Sequence, residues 1–208
     1  MAGVQFFNPR AEVDRTENRL PHWQQPGATV FVTFRLADSL PEKLLVRIKE
    51  EKKAWLSQNP EPWSIEAEAE YHRRFSNQTE RWLDRGYGSC HLRNPDARAV
   101  VVDALRHFDR IRYFQHAWVV MPNHVHALFT LAVESTLEAI LHSWKSFTAH
   151  HLVKDPAAPN PFWQEDYFDR MIRSEEHFGR VLRYIRKNPY KNAPGSYALW
   201  EHGSLSDR

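Results

Sequence analysis

Tyr113-Phe-Gln-His-Ala-Trp-Val-Val-Met-Pro-Asn-His-Val-His-Ala-Leu-Phe-Thr-Leu131 is the stretch on which the fold turns. Tyr113 to Val120 is rich in aromatic and β-branched residues and reads as a strand. Met121-Pro-Asn123 reads as a tight turn, because proline presets φ and asparagine tolerates turn geometry. From His124 to Leu131 the chain returns as a second strand. Side chains two apart on a strand share a face. His124 and His126 therefore project together, while Val125, Ala127 and Phe129 project the other way into apolar packing. Two neutral imidazoles side by side can hold one metal ion. On spacing alone, His-x-His fits two ordinary histidines on a half-exposed strand better than a metal site.

Upstream, Thr29-Val-Phe-Val-Thr-Phe-Arg-Leu36 reads as another strand. Pro41 suits the first turn of a helix that carries Leu44, Leu45, Ile48 and Trp55 on one side. Asn59-Pro-Glu-Pro-Trp63 breaks it. Residues 64–85 form a second predicted helix, ended by Gly86, whose mixed charges suit a solvated face. Asn94-Pro95 is a cap and first-turn pair for a third, through Val101, Leu105 and Phe108. Downstream, residues 135–152 place Leu137, Ile140, Leu141, Trp144 and Phe147 at helical spacing. A proline-rich loop leads to a strand predicted over 162–172. Ser174 caps a last helix, with Glu175 and Glu176 in its first turn, that runs to about Asn188 and stops at Pro189.

With the second and third helices treated as an insertion, the order is β-α-β-β-α-β plus one extra helix. That predicts a ferredoxin-like α+β fold with an antiparallel sheet. The expected division is an irregular N-terminal arm at 1–27, one domain over 28–192 with a helical insertion at about 59–90, and a C-terminal tail at 193–208.

Composition narrows the classes. The chain has 208 residues, of which 42% are hydrophobic and 26% charged, enough for one packed domain and against wholesale disorder. A formal net charge of +2 does not diagnose nucleic-acid binding, so a local basic face must carry that argument. A single cysteine, Cys90, excludes an internal disulfide and a cysteine-rich zinc site. No long apolar run predicts a membrane span, and the first residues lack the basic-then-apolar pattern of a signal segment. The expectation is a cytoplasmic protein with no membrane partner.

The last helix adds a second group of chemical interest. Tyr184 and Asn188 stand at i and i+4 and so neighbour each other. They flank the apolar stripe of Phe178, Val181, Leu182 and Ile185, which lets the helix pack on a sheet and aim polar groups into the seam. Taken singly, Tyr184 also fits a boundary tyrosine, and Asn188 a helix end before Pro189. His177, two turns before Tyr184, fits an exposed helix histidine better than a supporting group. Arg170, Arg173, Arg183, Arg186, Lys187 and Lys191 cluster around this helix; each alone reads as a solvated charge, and the group reads as the local basic face that a nucleic-acid partner requires.

Taken in order, His116-Ala-Trp-Val-Val-Met-Pro-Asn-His-Val-His-Ala-Leu-Phe129, Trp163-Gln-Glu-Asp-Tyr-Phe-Asp-Arg-Met-Ile-Arg173 and Tyr184-Ile-Arg-Lys-Asn-Pro189 resemble the IS200/IS605-like single-tyrosine transposases of the HUH endonuclease superfamily. More narrowly, they resemble the domesticated branch, the REP-associated tyrosine transposases. Val32-Thr-Phe-Arg-Leu36 matches as well. The resemblance spans roughly 22–190 and does not cover the helices at about 59–90. After Pro189 the chain departs from the family's usual continuation and reads Tyr190-Lys-Asn-Ala-Pro194.

The resemblance implies that His124 and His126 are metal ligands, that Asn188 completes the metal site, and that Tyr184 is the nucleophile. An amide oxygen and phosphate oxygens favour a hard cation, Mg²⁺ or Mn²⁺. A second nucleophile would fall one turn after Tyr184, where this chain has Asn188. Lys145, in Trp144-Lys-Ser-Phe147, matches a basic position of the family and joins the expected DNA contacts. The implied activity is metal-dependent cleavage and strand transfer on single-stranded DNA with hairpin structure, in particular REP-type hairpins. It proceeds through a 5′-phosphotyrosine that leaves a free 3′-OH, in a bacterial, nucleoid-associated monomer or homodimer. Two rivals remain: a ferredoxin-like sheet that binds nucleic acid without cutting, and a hydrolase of small phosphates. The tyrosine argues against the latter, because hydrolysis needs no protein nucleophile from a distant helix.

Overall fold

The computed structural model describes residues 3–11, 14–17, 21–60 and 63–203. In chain order the elements are β1 (Asp14–Glu17), β2 (Pro21–Gln24), β3 (Thr29–Arg35), α1 (Glu42–Gln58), α2 (Ile65–Tyr71), α3 (Asn77–Leu83), α4 (Pro95–His107), β4 (Tyr113–Val120), β5 (His124–Leu131), α5 (Leu137–Leu152), β6 (Phe168–Met171), α6 (Glu175–Lys187) and β7 (Ala198–Glu201). A π turn at His72–Ser76 joins α2 to α3, and 3-10 turns lie at His91–Arg93 and Asn188–Lys191.

The hairpin predicted from Tyr113 to Leu131 forms with the expected bounds. Its strands pair with Val120 opposite Val125 and Val119 opposite His126. β3 takes the other side of β5, setting Thr33 opposite His126 and Arg35 opposite His124. β6 then adds to β3. The five-stranded order is β6-β3-β5-β4-β7, with every adjacent pair antiparallel. Its first four strands have the split βαββαβ connectivity of the ferredoxin-like arrangement.

The two faces of the sheet bury different helices. Val30, Val32, Phe34, Val125, Ala127 and Phe129 pack against α4 and α5, through Val101, Leu105, Ile140, Leu141 and Trp144. Phe31, Ala117, Val119, Met121 and Leu128 pack against Phe178, Val181 and Ile185 of α6. The alternation read in the sequence thus turns His124 and His126 toward α6.

Four expectations are corrected. The sequence order places the helix opening at Pro41 on the sheet and the helix after Asn94 in the insertion; the structure reverses them. α4 packs on the sheet. α1, α2 and α3 enclose a core of their own around Ile48, Trp55, Tyr71, Phe75, Trp82 and Leu83. Periodicity shows that each helix has an apolar face, and only tertiary contact shows what that face meets. The strand predicted over 162–172 shortens to Phe168–Met171. Ahead of it, Phe162 and Trp163 turn into the core, and the Trp163 indole N–H donates to the Thr148 hydroxyl at 2.8 Å. The tail is not free of the fold, since β7 pairs along β4 with Trp200 opposite Trp118. Nor is the arm wholly irregular: β1 and β2 form a two-stranded ladder, and Phe7 N–H donates to the Ile172 carbonyl at 2.8 Å. Among the described residues no helix is long and apolar enough to cross a membrane.

Candidate metal and nucleophile site

His124 and His126 leave β5 on the α6 face and are almost wholly enclosed, with relative exposures of 1% and 0%. Their Nε2 atoms stand 3.0 Å apart. Donors bound about 2.1 Å from an octahedral ion at right angles stand about 3 Å apart, so the spacing suits two ligands of one cation. Burial pushes the His124 imidazole down to about 3. Burial, and then the neighbouring His124, hold His126 well below the usual histidine range. Both rings are neutral at pH 7, the form that ligates metal.

The outer nitrogens are held by neighbours. Asn123 Nδ2 donates to the carbonyls of Leu83 and Tyr87, both at 3.2 Å, which turns Oδ1 toward His124 Nδ1 at 2.8 Å. An amide oxygen only accepts, so His124 carries its proton on Nδ1 and its Nε2 lone pair faces inward. His126 Nδ1 lies 2.8 Å from the Thr33 hydroxyl, which can donate or accept and so supports either tautomer. Such outer contacts fix the orientation of ligating imidazoles. Neither Thr33 nor Asn123 was singled out from sequence. Thr33 emerges only once the β3–β5 register is known.

α6 brings the other half. Ser174 caps it by accepting from His177 N–H at 3.1 Å. Its apolar stripe seats Phe178, Val181 and Ile185 on the sheet. The Tyr184 hydroxyl then lies 3.2 Å from His126 Nε2. Asn188 opens the 3-10 turn just past the helix, is buried, and sets its amide nitrogen 3.3 Å from the same atom. Asn188 Oδ1 is buried without a hydrogen-bond partner. Half a turn of the amide would exchange the two atoms and present that oxygen to the imidazoles. Among the described residues no three His, Cys, Asp or Glu side chains gather at one point, so the donor set is two imidazoles and this amide.

Burial, and then the carboxyl groups of Glu80 and Asp84, hold the Tyr184 phenol far above its ordinary range. Glu80 belongs to α3 and lines one cavity with Tyr184. It sat on a helix face that reads as solvated, and no sequence signal marks it out.

The predicted cations divide. Arg170, on β6, lines a cavity of about 180 Å³ together with Tyr184, Glu80 and Arg180. Arg173 lies with its guanidinium 5.8 Å from the centre of the Phe7 ring. Arg183 and Lys187 are exposed on α6. Arg186 is engaged by Glu201 of β7 through contacts of 3.0 and 2.6 Å. Lys191 pairs with Asp84. Lys145 donates to the Glu165 carbonyl at 2.6 Å from α5, the helix on the opposite face of the sheet from the imidazoles. His177 is buried at 8% exposure rather than exposed, and its Nδ1 accepts from Arg173 N–H at 3.3 Å.

Comparison with known families matches residues 106–188 to a family model described as "Transposase IS200 like". That segment carries His124, His126, Tyr184 and Asn188, and excludes β3 and the α1–α3 insertion. A search of curated proteins gives no match. Among solved structures, a REP-associated tyrosine transposase bound to a REP hairpin aligns at 17% identity with a TM-score of 0.45, over 85% of this chain and 73% of that one.

Proposed function

We propose that this chain is a metal-dependent, single-strand DNA endonuclease and strand transferase that works through Tyr184, a reading supported by the likeness of residues 106–188 to the IS200-like transposases. One observation carries the reading. His124 Nε2, the Tyr184 hydroxyl and the Asn188 amide converge on His126 Nε2 at 3.0, 3.2 and 3.3 Å.

His124, His126 and the Asn188 amide oxygen would hold Mg²⁺ or Mn²⁺. When bound, such an ion withdraws charge from a phosphate oxygen and fixes the phosphate's orientation. Packing of α6 on the sheet holds the Tyr184 oxygen within reach of a phosphorus placed beside the imidazoles. Attack forms the bond from that oxygen to phosphorus and breaks the bond from phosphorus to the 3′ oxygen. The phenolic proton leaves, and the 3′ oxygen takes up a proton. The product is a 5′-phosphotyrosine and a free 3′-OH. The ester link is retained, so a second 3′-OH can reverse the step and join a new strand. Arg170 supplies cationic lining beside the nucleophile. The preferred substrate is single-stranded DNA next to a hairpin, of the REP type.

Incubation with end-labelled hairpin DNA bearing single-stranded flanks, with Mg²⁺ or Mn²⁺, tests the reading. A protein–DNA adduct that survives denaturation is expected from the wild type and none from Tyr184→Phe. Gel shift without any adduct would identify a binding module instead. An adduct from Tyr184→Phe would remove Tyr184 from the chemistry.

A further inference from the structure

The insertion and the nucleophile meet at one point. α3 lies outside the segment that matches the transposase family, yet Glu80 from its face lines the same cavity as Tyr184. The same helix is tied to the metal-site turn, since Asn123 spans from the Leu83 carbonyl at its end to His124. Glu80 and Tyr184 share the wall of the cavity of about 180 Å³ with Asn77, Phe168, Arg170 and Arg180. A carboxyl group set against the nucleophile, in a recess open to a phosphodiester, is placed for proton transfer.

We propose that Glu80 is a catalytic residue, whose carboxylate takes the phenolic proton of Tyr184 as the phenol oxygen attacks phosphorus. The proposal rests on the strand-transfer reading given above. The phenol O–H bond breaks and an O–H bond forms on the carboxylate, while the tyrosyl oxygen bonds to phosphorus and the 3′ oxygen leaves. The negative charge passes from the carboxylate to the departing 3′ oxygen, which takes up a proton from solvent, so no free phenolate forms in the buried site. A phenol held protonated by nearby carboxyls also stays inert until a phosphate is in place.

The groups facing Glu80 are Tyr184 from α6, Asp84 one turn along α3, Arg170 from β6 and Lys191 from the turn after α6. Burial raises the Glu80 carboxyl to about 7, with Asp84 adding to the rise and Tyr184, Arg170 and Lys191 opposing it. Below that pH the carboxyl keeps its proton and cannot accept another.

Single-turnover adduct formation on a labelled hairpin oligonucleotide with Mn²⁺, followed across neutral pH, decides the matter. Glu80→Gln should slow the reaction by about 100-fold at saturating DNA, within the range of general-base contributions. Glu80→Asp should restore part of the rate. The wild-type rate should rise with its break near pH 7 and level off above it, and Glu80→Gln should lose that limb. A Glu80→Gln variant that reacts as fast as wild type, or faster, overturns the proposal and makes Glu80 a restraint on the phenol. Should Glu80→Gln not fold, Asp84→Asn decides instead. It must move the wild-type break to lower pH, and an unmoved break overturns the assignment. If the wild type forms no adduct with any hairpin, the strand-transfer reading fails first and takes this one with it.

Discussion

At the scale of the residue, the site rests on who holds the far nitrogen of each imidazole. Asn123 assigns the His124 proton by accepting it, because its own amide hydrogens are spent on the Leu83 and Tyr87 carbonyls. Thr33 holds the far nitrogen of His126 without choosing its tautomer. Thr33→Val keeps the shape and removes the hydroxyl. Metal affinity should fall about 10- to 100-fold, the usual cost of losing an outer partner. Mn²⁺ titration followed by calorimetry measures this, and excess Mn²⁺ should recover adduct formation. Unchanged affinity would mean that Thr33 does not orient the ring. Strand and helix periodicities made legible that His124 and His126, and Tyr184 and Asn188, each share a face, while the roles expected of them came only from the family resemblance. Glu80 was not legible, because a carboxylate on a mixed-charge helix looks the same whether it meets water or a phenol.

At the scale of the element, the insertion is a folded unit with its own centre. Phe75, in the π turn, has 0% exposure and packs with Trp55 and Tyr71 at ring separations of 6.2 and 5.2 Å. Phe75→Ala should cost about 3 to 5 kcal/mol within that unit. Hydrogen exchange should then show amides of 42–83 losing protection while those of β3, β4 and β5 keep it. Equal loss across the sheet would show that the insertion and sheet melt together. The short β7 escaped the sequence reading for a physical reason. Four half-buried residues have too little alternation to announce a strand, and only pairing with β4 makes them one.

At the scale of the whole molecule, acid should loosen the fold through its buried imidazoles. His116 is buried, lies 2.8 Å from the Thr130 hydroxyl through Nε2, and is pushed down to about 4 by burial and then by His202. An unfolded histidine titrates near ~6.5. Above that pH neither state binds the proton and stability is complete. As pH falls from there through about 4, the unfolded chain binds protons that the folded chain refuses, and stability declines. His124 extends the decline toward about 3. Melting temperature measured from neutral to acid pH should drop along this window, and His116→Gln should make the drop shallower. A slope unaltered in His116→Gln would assign the acid limb to other groups.

What the sequence determined by itself was local and periodic: the hairpin bounds, the shared face of His124 and His126, the cap at Ser174, and the neighbourhood of Tyr184 and Asn188. These follow from backbone periodicity and capping, which act over a few residues. The tertiary structure alone decided which helices cover the sheet, that residues 198–201 complete it, and that the α1–α3 unit brings Glu80 to the cavity lined by Tyr184. An apolar face fixes that a helix must be buried, not against what, and the partner is chosen only when the whole chain packs at once.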